Sequence, residues 1–149
     1  VWIETIRAMG AEPTPMPWGE VYSALQLGTL DAAEAQPTAI WGAKLYEVIK
    51  EVNLTGHTPL VPALGSAKAS WAELSPENQQ SVRDLAVENG RYASGLTIEL
   101  GEQALKDVAA TGVKINEVDL APFKEAVSSV YSKLNLEKEA EIVRSVLSN

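Results

Sequence analysis

The run Ser75-Pro76-Glu77-Asn78, followed by helix-forming residues as far as Thr111-Gly112, decides how this chain is built. Ser75 is a residue type that caps helix N-termini. Pro76 falls where a first-turn N–H has no partner to lose, and Glu77 meets the positive end of the helix dipole. No proline interrupts the next 36 or so residues, roughly twice the usual helix of about 8–20. The run therefore predicts one long, bent helix spanning two subdomains, or a helix broken near Gly90, Gly95 or Gly101; the continuous form is the expectation. Gly112 stops it.

On the C-terminal side, Val113-Lys114-Ile115 reads as a strand. Asp119 then caps a helix carrying Phe123, Val127, Val130, Tyr131 and Leu134 on one face, and Leu136, Ala140, Val143 and Leu147 mark a last amphipathic helix. On the N-terminal side, Val48 to Thr55 and Pro59 to Leu64 lean towards β, separated by Gly56 and His57. Pro37 opens a helix expected to reach about Tyr46, with Trp41 as a core residue. Thr29 to Ala35 reads as a buried strand or strand-like crossing, and Trp18 to Leu27 as a helix ending at Gly28. Ala11 to Pro17 is proline-punctuated and reads as a short strand leading into a loop. Val1 to Met9 has helical spacing and stops at Gly10. A chain opening inside an amphipathic helix reads as a mature or truncated C-terminal portion. Short strands alternating with helices indicate an α/β fold.

Composition narrows the function. The 149 residues are 46% hydrophobic and 21% charged, near globular averages, which argues against intrinsic disorder. A net charge of -8 argues against nucleic acid as a partner and against docking on an anionic membrane. No apolar run approaches the roughly 18 residues of a membrane span. With no cysteine and one histidine, His57, the chain has no disulfide, no thiolate metal site and no multi-histidine zinc site. The nucleophile elbow GxSxG and the glycine-rich nucleotide cradles are missing, and Glu137, Glu139 and Glu141 read as solvated surface. Neither catalysis nor a cofactor is indicated.

The most specific stretch is Pro15-Met-Pro-Trp-Gly-Glu-Val-Tyr-Ser-Ala-Leu-Gln-Leu-Gly-Thr-Leu-Asp-Ala-Ala-Glu34. It resembles the signature of the extracytoplasmic solute-binding proteins of TRAP transporters, the DctP-like family. That signature has a Gly-Ala-x-Pro lead-in, here Gly10-Ala11 and Pro13, then a Glu-Val-Tyr helix and an Asp-Gly turn. Asp31 matches the turn, where Ala32 replaces the commoner glycine. The likeness continues through Lys44-Leu45-Tyr46, Leu54-Thr55-Gly56-His57, the Trp71 to Gln79 approach to the long helix, Gly112-Val113, Phe123 and Val130-Tyr131.

The resemblance implies a two-lobe periplasmic binding protein-like (type II) fold, here only its C-terminal half with a long bridging helix. Residues 1–60 would form part of the C-terminal lobe. Residues 61–100 would be a return segment through the N-terminal lobe with the first part of the long helix, and 101–149 the end of that helix, a short strand and the C-terminal helices. It also implies an exported, periplasmic protein that captures an organic acid and delivers it to TRAP membrane permease subunits. The ligand-binding residues carried over are Trp18, Glu34, Gln36 and His57. Trp18 matches an aromatic set against the ligand's carbon frame, and Ala35 stands where some members carry a ligand-binding Asn. The family's carboxylate-binding arginine would lie upstream of Val1, and Arg7 does not match it. A half taken alone would expose apolar surface and self-associate. The alternatives are a small soluble hydrolase or isomerase, marked by turnover lost on replacing His57, and an acidic helical interaction domain.

Overall fold

Glycine and proline divide the chain before the long helix into short elements, each too short to hold its shape without packing. The computed structural model describes residues 1–58 and 63–147. Helices α1 (Trp2–Ala8), α2 (Trp18–Gln26) and α3 (Pro37–Gly42) come first, then a 3-10 turn (Leu45–Glu47) and strand β1 (Glu51–Leu54). A short helix α4 (Lys68–Ala72) leads into α5 (Pro76–Ala110), an uninterrupted helix of 35 residues. Strand β2 (Lys114–Glu117), helices α6 (Ala121–Ala126) and α7 (Val130–Lys133), and α8 (Glu137–Leu147) complete the order.

β1 and β2 form a two-stranded parallel sheet, with Val52 opposite Ile115 and Asn53 opposite Asn116. Parallel neighbours need a long crossover, and here α4 and α5 supply it. Asn116 ties the exposed face of the pair: its Nδ2 donates to Glu51 Oε2 at 2.9 Å and to Asn53 Oδ1 at 3.0 Å. The turn from α5 into β2 passes through Gly112 at φ +96°, a conformation that a β-carbon would strain.

The core lies where α2, α3 and the 3-10 turn meet the C-terminal end of α5 and the sheet. Val21, Ile40, Leu45, Val108 and Val113 are its buried members, with Val52 and Ile115 packed against them. Val108 is wholly buried, and Leu45 is 2% exposed. The start of α5 is held differently. Ser75 Oγ accepts from the Asn78 N–H at 3.2 Å. Gln79 Nε2 donates to the carbonyls of Trp71 and Leu74, and the Arg83 guanidinium lies 4.9 Å over the Trp71 ring. From Val82 to Leu100 this helix is nearly all exposed.

Several sequence expectations change. Ala11 to Pro17 is not a strand, because three prolines lack the N–H groups a ladder needs. Thr29 to Ala35 crosses without strand structure, and most of it is exposed. The helix opened by Pro37 stops at Gly42 instead of reaching Tyr46. Lys44 takes a left-handed φ of +53° there, and Leu45 is the next residue in the core. Trp41 is exposed and stacks on Tyr46 at a centroid distance of 4.8 Å, so it is not a core residue. The helix starting after Asp119 is two helices joined by a 3-10 turn at Val127–Ser129; Asp119 Oδ1 accepts the Ala121 N–H, and Val130 is the buried member of its face. Ala140 is buried on α8, while Val143 and Leu147 fall outside the described side chains. Of Pro59 to Leu64, residues 59–62 lie outside the described residues; Ala63 and Leu64 form no strand.

Candidate ligand-binding face

Three connections converge beyond the C-terminal end of β1. Pro17 breaks the chain so that α2 begins at Trp18. The crossing from Glu34 to Gln36 enters α3 through Pro37, and Thr58 follows β1. Loops at the carboxyl ends of parallel strands are where α/β proteins hold ligands, since the backbone there is not committed to a ladder.

A shallow concavity of about 200 Å³ lies between them, lined by Trp2, Trp18, Glu34, Ala35, Gln36, Ala39 and Thr58. It brings together three of the four residues singled out from the sequence: Trp18, Glu34 and Gln36. Its lining includes two partly exposed indoles, Trp18 at 47% exposure and Trp2 at 54%. The same lining holds the Glu34 carboxylate, the Gln36 carboxamide and the small side chains of Ala35 and Ala39. The described lining contains no cation. His57 does not line it. Its Nδ1 lies 2.6 Å from Thr55 Oγ1, and the next residue, Thr58, reaches the concavity instead.

Trp2, which the sequence reading did not single out, also lines the concavity. No sequence signal marked it; only the structure shows that α1 buries none of its residues and that a tryptophan at its start serves no core. Arg7 stands apart from the concavity, its guanidinium held by Glu4 Oε1 at 2.7 Å and Glu12 Oε1 at 3.3 Å. Behind the site, the Tyr22 hydroxyl donates to Glu47 Oε2 at 2.8 Å, linking α2 to the 3-10 turn. That hydrogen bond, with desolvation and the nearby Glu47 charge, raises the phenol's pKa above its ordinary value.

The family model for bacterial extracellular solute-binding protein, family 7, named DctP, matches residues 1–138. The chain belongs to this family. As a DctP-family chain it is 35% identical over 130 residues to the 2,3-diketo-L-gulonate-binding periplasmic protein YiaO of Escherichia coli, covering 85% of this chain and 39% of that one. An apo, open TRAP periplasmic solute-binding protein from Escherichia fergusonii superposes with a TM-score of 0.89 at 42% identity, over 96% of this chain and 48% of that one. A relative from Chromohalobacter salexigens with bound D-glucuronate superposes with a TM-score of 0.84 at 32% identity, over 99% of this chain and 48% of that one. The fold is that of a type II two-lobe binding protein, in part: the chain spans less than half the length of each of these three proteins.

Proposed function

We propose that this chain forms one wall of the binding cleft of a periplasmic, non-enzymatic solute-binding protein. That protein would capture an organic acid by closing two lobes on it and deliver it to a TRAP membrane permease. The observation that carries this reading is the convergence of Trp18, Glu34 and Gln36 on one concavity at the sheet's carboxyl end, in a DctP-family chain. The concavity is open, as one half of a clamshell should be. Its volume of about 200 Å³ falls below the roughly 300–1,000 Å³ of a complete small-molecule pocket.

In this reading residues 1–60 belong to the C-terminal lobe, 61–100 return through the N-terminal lobe with the first part of α5, and 101–149 end the bridge and complete the C-terminal lobe. The ligand favours the closed state only through contacts that the open state lacks, so the second wall supplies the difference. The carboxylate needs a cation the described lining does not offer; that partner would come from the length of the relatives this chain does not span. The exposed apolar stripe of α5, including Val82, Leu85, Tyr92 and Leu96, would pack against the same missing length. Alone, two copies would cover it by self-association, and light scattering showing a monomer at high concentration counts against this.

The test of capture joins the chain to the N-terminal portion of its Escherichia coli relative and screens carboxylic acids by thermal shift. A bound acid at a hundredfold excess over Kd should stabilise the joined protein by about 2.7 kcal/mol. No shift with any organic acid removes the proposal, and chemical turnover lost in His57→Ala would replace it with an enzyme.

A further inference from the structure

Between its two ends α5 carries a chemically reactive pair. Asn89-Gly90 is the one Asn–Gly pair in the sequence; Asn53, Asn78, Asn116 and Asn135 precede leucine, glutamine, glutamate and leucine. An asparagine amide can be attacked by the backbone nitrogen of the next residue, and glycine brings no side chain to hinder that approach. The helix restrains the reaction. In it the Gly90 N–H is committed to the carbonyl four residues back, and Asn89 Nδ2 donates to the Leu85 carbonyl at 2.8 Å, so ring closure needs a local opening. Opening is cheap here. Every residue from Val87 to Leu100 is exposed, so little tertiary packing supports the segment. Gly90 and Gly95 weaken the helix relative to alanine. The hydroxyls of Ser94 and Thr97 donate to the carbonyls of Gly90 and Ala93 at 2.8 Å, in competition with backbone donors. Asn89 shares a helix face with Leu85, Tyr92 and Leu96, so the site is open while that face is uncovered and closed once a second lobe packs there.

We propose that Asn89-Gly90 is a site of spontaneous backbone modification, at a rate set by opening of the middle of α5. The Gly90 nitrogen bonds to Asn89 Cγ, the Cγ–Nδ2 bond breaks, and Nδ2 leaves as ammonia with the proton from the Gly90 N–H. Water then opens the succinimide. Cleavage of the Cγ–N bond gives aspartate, and cleavage at the main-chain carbonyl gives isoaspartate, with no change of oxidation state. Either product adds one negative charge to a chain whose net charge is -8. Isoaspartate also lengthens the backbone by one carbon, which breaks the hydrogen-bond register and divides α5 in two. The proposal stands independently of the function proposed above.

Incubation of the chain in warm, mildly alkaline buffer tests this, with peptide mapping by mass spectrometry and isoaspartate marked by an isoaspartyl methyltransferase. Product should accumulate at Asn89 ahead of Asn53, Asn78, Asn116 and Asn135. It should form at least about fivefold more slowly in Gly90→Ala, the factor that alanine's helix propensity alone gives by making opening rarer. Alanine fits there, since a β-carbon on Gly90 meets nothing within 4 Å. In the aged protein amide exchange should quicken on both sides of position 89. Asn89→Asp, which has the charge without the added carbon, should keep its protection. Deamidation at Asn89 no faster than at those other asparagines overturns the proposal, as does an equal rate in Gly90→Ala. A rate matching that of the chain unfolded in urea removes the helix as its control. Equal loosening in Asn89→Asp and the aged protein overturns the division of α5 by isoaspartate.

Discussion

The two ends of α5 obey the same helix chemistry and live in different surroundings. At the C-terminal end Ala104 and Val108 are buried, and Val108 joins Val21, Ile40, Leu45 and Val113 in the core cluster. Towards the N-terminal end Leu85 is 55% exposed and Tyr92 70% exposed, on a helix whose propensity and cap are sound. Local sequence therefore explains why α5 is a helix along its whole length, and packing explains why only one end belongs to a core. Helicity and burial are separate facts here.

That contrast can be broken at the packed end. Leu45→Ala removes a side chain 2% exposed in the core cluster and should cost about 2–5 kcal/mol, read as a fall in the denaturation midpoint. A loss under about 1 kcal/mol would mean that the cluster does not hold the fold together. Ser75→Ala, at the other end, deletes the cap on the Asn78 N–H and should cost about 1 kcal/mol locally. Amide exchange in the first turns of α5 should then quicken by about fivefold while the global midpoint barely moves. A full-sized global loss would show that the two ends unfold as one. Leu85→Ala should change stability by less than about 0.5 kcal/mol, since an exposed helical site loses little and alanine favours the helix. Joined to a second lobe that covers the stripe, the same substitution should cost several times more, which makes it a reporter of docking.

The two regions were also unequally legible in the sequence. Ser75, Pro76 and Gly112 mark the ends of α5 because capping and left-handed geometry are local and restrict residue type sharply. The extent of α3 was not legible in that way. Leu45 is drawn into the core through a left-handed Lys44, and the benefit comes from Val108 and Val113, distant in sequence. Proline spacing in Ala11 to Pro17 suggested extension correctly and pairing wrongly, since pairing needs a partner strand and free N–H groups. At the concavity, Trp18, Glu34 and Gln36 could be nominated from the family-like stretch and the crossing that follows it. Trp2 could not, because its place depends on how α1 folds back beside residues more than thirty positions away. Local rules carry elements; tertiary contact decides faces.

Alkaline pH offers the gentlest way to separate the two regions. The Tyr22 hydroxyl donates to Glu47, so its folded pKa lies above the ordinary phenol value of 10.0, with that hydrogen bond as the main cause. A raised pKa means that the folded state holds the proton more tightly than the unfolded chain does. The stability it contributes is complete below about pH 10 and is lost as pH climbs through the folded value. Tyr22→Phe cannot ionise, so its midpoint should fall less over that interval, and the gap between the two proteins should close. Amides of α2 and the 3-10 turn should loosen in the parent protein as Tyr22 ionises, while those of the exposed stretch of α5 keep their relative protection. Parallel pH profiles for parent and variant would place the alkaline sensitivity elsewhere and remove Tyr22 as a tie between α2 and the turn behind the ligand-binding face.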